Sequence, residues 1–289
     1  MALIETQNCT VRYSTGTPFE KEALTAVSVT VQEGEFLGVI GHTGSGKSSF
    51  VQLLNGLLKP DEGVVLINGK NIWENPKEIR SVRFQVGLVF QYPEHQLFEE
   101  TVYKDIAFGP TNIGLSEEEI KKRVLHAATR VGLSSDLLDK TPFDLSGGEK
   151  RRAAIAGVLA MEPKVLILDE PTAGLDPKGR DMILDLISAY RRENNATVLL
   201  VSHSMEDVAR VADKVLVLNH GKVAMLEPTN TIFSHMEELE SMGLSVPAVT
   251  KIFKELRARG IHVPDAVYTV EQAHTILSKL LKGGDGCAV

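Results

Sequence analysis

No apolar stretch in this 289-residue chain approaches the roughly 18 residues needed to cross a bilayer. Any place at a membrane would therefore have to come from a partner. The opening residues, Met1-Ala2-Leu3-Ile4-Glu5, have neither a basic segment nor an apolar core, so no secretory signal is read there. Cysteine is nearly missing. Cys9 and Cys287 stand far apart without metal-ligand spacing, and they read as free thiols in a reducing compartment. No basic run of five or more occurs and the net charge is −7, which argues against a nucleic-acid partner. No internal repeat is seen. What remains, 43% hydrophobic and 24% charged residues, is enough for a large globular core.

The most informative segment is Gly41-His42-Thr43-Gly44-Ser45-Gly46-Lys47-Ser48, which fits G-x-x-x-x-G-K-[ST]. The run from Glu35 to Ile40 before it reads as a buried strand, and Ser48 to Leu54 has helical spacing. A strand–loop–helix context is what a phosphate-binding loop requires. Glycine lets the backbone turn its N–H groups inward, and the helix start adds partial positive charge. Lys47 is expected on the β- and γ-phosphates and Ser48 on Mg²⁺.

Lys164 to Glu170 reads as a buried parallel strand delivering two carboxylates to its C-terminal end. Successive strand side chains point to opposite faces, so the two acids differ in role. Asp169 is expected in the Mg²⁺ shell, and Glu170 at the attacking water. A second anion-binding helix start is read at Ser146-Gly147-Gly148, ahead of a helix over Arg151 to Met161. It has no evident use for phosphate inside its own domain.

These motifs together resemble the nucleotide-binding subunit of an ATP-binding-cassette (ABC) transporter, over about residues 1–235. The resemblance implies an α/β, P-loop (RecA-like) nucleotide-binding domain. An antiparallel β flank, a helical signature subdomain over about 93–160 and a C-terminal helical extension at 236–289 complete it. It also implies ATP and Mg²⁺ as cofactors. Leu145, Ser146, Gly147, Gly148 and Glu149 correspond to the signature motif, which contacts the ATP held by an opposing cassette. Gln91 corresponds to the Q-loop and a Mg²⁺ contact, and His203 to the switch histidine on the γ-phosphate. Asp176 corresponds to the D-loop, and Tyr13 to the aromatic that stacks on adenine. One departure stands out: the position after the second signature glycine is often Gln in this family, and Glu149 cannot donate a hydrogen bond.

A narrower likeness lies in Phe90-Gln91-Tyr92-Pro93-Glu94-His95-Gln96-Leu97-Phe98 and in Asp105 to Pro110. Both resemble the energy-coupling-factor (ECF) transporter ATPases, and the run Asp169 to Arg180 is more like the second ATPase of the pair. This implies a different partner ATPase, a transmembrane coupling subunit and exchangeable substrate-binding membrane proteins. The implied place is the cytoplasmic face of the membrane, and the activity is ATP hydrolysis coupled to micronutrient uptake.

Along the chain, residues 1–40 read as short apolar strands, and segments near 35–90 and 164–220 as the central sheet. Ser116 to Glu119 is a capping box opening a helix through Val131. Leu97, Phe98, Val102, Ile106 and Phe108 read either as a groove for a membrane subunit or as subdomain core. Val249, Ile252, Phe253 and Leu256 give a helical stripe ended by Gly260. A second capping box, Thr269 to Gln272, opens a last helix; these two helices read either as packing on the core or, as the resemblance to ECF-type ATPases implies, as a dimer contact. The tail Gly283-Gly284-Asp285-Gly286 is expected to be disordered.

Overall fold

A computed structural model describes residues 2–282; the glycine-rich tail and Cys287 lie outside the described residues. Strands β1 (Ala2–Tyr13) and β2 (Lys21–Gln32) form an antiparallel ribbon. At 12 residues each they are longer than the short strands expected from sequence. Register shifts, such as the one between Thr6 and Cys9, interrupt the apolar alternation without ending the pairing. Cys9 sits fully buried in this ribbon, its thiol donating to the Val64 carbonyl at 3.1 Å. It behaves as a small core residue, and burial pushes its pKa up.

β3 (Phe36–Ile40) is buried along its whole length and runs through the phosphate-loop sequence into α1 (Lys47–Leu54). β4 (Glu62–Ile67) and β5 (Lys70–Asn71) then join the antiparallel sheet, in the order β2-β1-β4-β5. The central sheet therefore does not use all of 35–90. β4 buries Val65 and Ile67 but leaves Val64 and Leu66 only half-buried, which suits a sheet with one packed face.

α2 (Ile79–Gln85) leads into β6 (Val86–Val89). A helical layer follows: α3 (Val102–Ile113), α4 (Glu117–Arg130) and α5 (Gly147–Leu159). At α4 only half of the expected capping box forms. Ser116 accepts from the Glu119 N–H, but the Glu119 carboxylate pairs with Arg123. The chain then alternates through β7 (Val165–Asp169), α6 (Pro177–Asn194), β8 (Thr197–Val201), α7 (Met205–Val211) and β9 (Lys214–Asn219). β10 (Lys222–Pro228) closes the edge. The second sheet has the order β10-β9-β3-β8-β7-β6, parallel except for β10.

This sheet separates two cores, and β7 shows how. Leu166 and Leu168 pack with the helical layer, whereas Val165 and Ile167 pack with α1 and the antiparallel sheet. The period-2 alternation of a strand is thus filled with apolar residues on both faces. Each such side chain, fully buried, contributes about 1.5–3 kcal/mol relative to an exposed one.

Four helices end the described chain: α8 (Thr229–Ser234), α9 (Met236–Ser241), α10 (Ala248–Ala258) and α11 (Val270–Lys282). Phe233, Met236 and Leu239 share a core with β9 and α7. α10 and α11 build a small core of their own from Phe253, Val267 and Ala273. The second capping box does form, since the Gln272 amide oxygen accepts from Thr269 N and Thr269 Oγ1 accepts from Gln272 N. The stripe on α10 is only partly buried, with Ile252 exposed. Among the described residues no helix is long and apolar enough to cross a membrane.

Candidate active site

The loop between β3 and α1 is shaped by what glycine alone permits. Gly46 has φ of +103°, and a Cβ there would lie 2.5 Å from the Ala23 carbonyl. A Cβ on Gly41 would collide with the Leu218 carbonyl and Ser45 Oγ. The loop is packed so tightly against β2 and β9 that its backbone becomes the binding surface. Gly46 is also the N-cap of α1 and supplies no side-chain cap. The first N–H groups of α1 therefore remain for an external anion.

Lys47 is 7% exposed and donates from Nζ to the carbonyls of Gly41 (2.7 Å) and His42 (3.0 Å). Burial lowers its pKa, opposed by the carboxylates of Glu170 and Asp169. Its ammonium is thus held at the loop before any phosphate arrives. Ser48 Oγ donates to Asp169 Oδ2 at 3.0 Å, joining the start of α1 to the end of β7.

That hydroxyl and carboxylate are hard oxygen donors side by side, a set that fits Mg²⁺. Among the described residues no group of three or more His, Cys, Asp or Glu is placed to hold a metal ion by itself, so there is no all-protein cage. A cation held here would keep water and phosphate oxygens as its other ligands, as Mg²⁺ does. Burial raises the pKa of Asp169, and the Ser48 hydrogen bond opposes this.

Glu170 is the most perturbed acid in the site. Its φ is +53°, a left-handed conformation unusual for a residue with a side chain. The twist lets its N–H donate to the Val201 carbonyl at 3.0 Å. It is 8% exposed, and Oε1 is buried without a hydrogen-bond partner among the described residues. Burial, and then the neighbouring Asp169 charge, push its pKa up to about 7. His203 Nε2 lies 3.6 Å from that oxygen, just after β8. Burial and the Lys47 charge lower the His203 pKa, keeping the ring neutral at pH 7.

These groups line one cavity of about 340 Å³. Thr43, Gly44, Gly46, Lys47, Ser48, Asp169, Glu170, His203 and Gln91 all border it, and so does Tyr13. Tyr13 ends β1 with its ring partly exposed and its hydroxyl 3.1 Å from Ser49 Oγ. The same cavity adds Lys21, Ala23 and Ser49, which sequence reasoning missed because no motif marks them. Gly41 and Ser45 belong to the loop but do not border the cavity, and Ser45 is fully buried. His42 turns aside, its ring 4.7 Å from that of His220.

The signature residues are elsewhere. Leu145 is buried and Ser146 is the N-cap of α5, which begins at Gly147, earlier than the Arg151 start read from sequence. The earlier start follows from a capping box: Glu149 accepts from Ser146 N, and Glu149 N donates to Ser146 Oγ. A Cβ on Gly147 would meet nothing within 4 Å, and one on Gly148 only Arg152 Nη1 at 3.7 Å. Among the described residues nothing crowds either glycine. Asp176 caps α6 through Gly179 N and is likewise exposed outside the cavity.

Arg151, one turn into α5, ties the parts together. It pairs with Glu94 (2.9 Å), just beyond Gln91, and donates to the Ala173 carbonyl (2.6 Å) ahead of Asp176. A second buried network joins Thr172 Oγ1 to Asp207 (2.7 Å) and Asp207 to Arg180, beside the helix that follows His203. No spacing rule would have found either.

A family model described as ABC transporter matches residues 24–173. The energy-coupling factor transporter ATP-binding protein EcfA2 of Caldanaerobacter subterraneus subsp. tengcongensis is 53% identical, covering 97% of this chain and 98% of its own. The protein of the same name from Clostridium perfringens is 51% identical, with 98% and 99% covered. Among solved structures, cbiO1 of Clostridium perfringens, part of the ABC transporter complex cbiONQ, superimposes with a TM-score of 0.74 at 38% identity. That match covers 88% of this chain and 99% of the other. The dimeric cassette MJ0796, in a post-hydrolysis state with ADP and phosphate, reaches 0.72 at 30% identity over 78% and 99%. The chain belongs to the ABC transporter family of ATPases and, within it, to the energy-coupling-factor transporter ATP-binding proteins.

Proposed function

We propose that this chain is the ATP-hydrolysing subunit of an energy-coupling-factor importer and works as one of two facing cassettes. One observation carries the reading. The phosphate loop, Asp169, Glu170, His203 and Gln91 share one cavity, while the helix start at Ser146, with its two uncrowded glycines, lies outside it. In this reading that helix start meets a nucleotide held by another chain.

In this reading Lys47 and the first N–H groups of α1 bind the β- and γ-phosphates of ATP, and Tyr13 stacks on the adenine. Ser48 and Asp169 hold Mg²⁺, with Gln91 at its edge. When bound, the ion neutralises phosphate oxygens during transfer. Glu170 in its ionised form orients the attacking water and accepts its proton at the unpartnered Oε1. His203, neutral and adjacent, donates toward the γ-phosphate. Leu145 to Glu149 and Asp176 meet the opposing cassette. Residues 1–235 form the nucleotide-binding part and 236–289 the extension, whose exposed Ile252, Val270 and Leu281 suit a contact between cassettes.

A second cavity of about 520 Å³ lies between α2, α3 and α5. Phe98 and Phe108 meet edge to face at its rim (4.9 Å) and are 64% and 47% exposed. Val102 and Ile106 are instead fully buried core. Of the five apolar residues weighed at the sequence level, Phe98, Phe108 and Leu97 thus border the groove that would receive a coupling subunit. That partner places the chain at the cytoplasmic face of the membrane. Exchangeable membrane proteins would then select vitamins or other micronutrients. The test is to tag the chain, solubilise native membranes in mild detergent and identify what co-purifies. A second ATPase, one coupling subunit and several small membrane proteins are expected. A single pair of permease subunits with a binding protein would replace the reading with an ordinary ABC importer.

A further inference from the structure

The start of α5 already holds an anion. Glu149 Oε2 accepts from Ser146 N at 2.8 Å and from the Ser146 hydroxyl at 2.7 Å. A hydroxyl has one proton to give, so Ser146 cannot donate to a phosphate while it donates to Glu149. The Ser146 hydrogen bonds, aided by Arg152 and Lys140, hold the Glu149 carboxyl below the usual carboxylate range. It is therefore charged at neutral pH. The approach itself is open, since neither Gly147 nor Gly148 presents anything to obstruct an incoming group.

We propose that Glu149 is a built-in competitor for the partner's nucleotide, which must displace its carboxylate from Ser146 before the two cassettes close. This rests on the two-cassette reading above. A helix N-terminus favours negative charge, but two anions sharing its first donors repel one another. The competition acts only on the site completed by this chain's signature residues, so a partner whose signature carries no acid at that position would leave the two ATP sites unequal. Glu149→Gln keeps an acceptor for Ser146 N, because Gln also closes a capping box. It removes the charge and adds a donor facing the phosphate.

The test uses the full-length chain assembled with its partner ATPase and membrane subunits. Lys47→Ala in this chain confines tight nucleotide binding to the partner's phosphate loop. The dissociation constant of ATP is then measured with and without Glu149→Gln. Binding about three- to tenfold tighter is expected, the scale of one charge at a helix end. The gap should narrow as salt rises, because screening weakens a charge effect and leaves a structural one untouched. Unchanged or weaker binding would overturn the proposal, as would a gap indifferent to salt. Ser146→Arg separates the two levels of argument. If it weakens ATP binding while Glu149→Gln does nothing, the two-cassette reading stands and the competitor fails. If Ser146→Arg also does nothing, both fail.

Discussion

Two helix starts in this molecule solve the same electrostatic problem in opposite ways. α1 is capped by Gly46, which offers no side chain, and its buried Lys47 waits on the loop carbonyls. α5 is capped by Ser146 and closed further by Glu149. One helix end is left electrically unfinished inside a cavity whose other groups are already assembled. The other is finished from within and exposed, with two glycines that no internal contact requires. Glycine thus plays two separate parts. At Gly46 it admits close packing within the chain, and at Gly147 it leaves the helix start uncrowded. A G-rich motif alone does not distinguish these; the space around each glycine does.

The sharpest way to break the comparison is at Glu170, which belongs to the α1 cavity alone. Glu170→Gln should retain ATP binding and slow hydrolysis by roughly 10²-fold or more, the scale of a positioned base. Turnover near wild type would remove Glu170 from the water-orienting role. The wild type has a matching pH profile. A carboxyl with a pKa of about 7 is protonated below that pH and cannot accept a proton. Activity should therefore rise through pH 7 and flatten above it. A flat profile from pH 6 to 8 would deny the shift.

Lys47→Ala comes next. Its charged hydrogen bonds to phosphate are worth about 1.5–3 kcal/mol, or roughly 10- to 150-fold in ATP affinity. Equilibrium binding to this chain checks it, and unchanged affinity would show that the loop backbone suffices. Arg151→Met probes the link between the two regions. It leaves Glu94 without its buried partner and the Ala173 carbonyl without its donor. A loss of about 2–3 kcal/mol in denaturant unfolding is expected. A stability loss under 0.5 kcal/mol would mean that Glu94 is rehydrated at little cost.

Much of the α1 cavity was legible in the sequence because its residues act locally. A phosphate loop and a strand ending in two acids each declare themselves within ten residues. The apolar runs Val165 to Leu168 and Thr197 to Val201 likewise mark strands buried on both faces. The resemblance added Tyr13, Gln91 and His203, which no local pattern marks and which the fold brings to the same cavity. What escaped was tertiary. Arg151 meets Glu94 across 57 residues, and Thr172 meets Asp207 across 35. Neither pair has a spacing to read. The left-handed Glu170 escaped too, since strain at one residue leaves no pattern. The reading of segments near 35–90 as central sheet did not separate out β4, because a short apolar run does not say which sheet it joins. Glu149 was read as a lost donor, and its gain as a cap became visible only once α5 was seen to start at Gly147.

The central claim is that neither helix start suffices alone. It is tested most directly by measuring ATP turnover of the full-length chain across a dilution series, first by itself and then with its partner ATPase. Low turnover that falls further on dilution, restored by the partner, is the predicted result. Full turnover at high dilution without a partner would contradict it, for then the Ser146 helix start would have no part in hydrolysis.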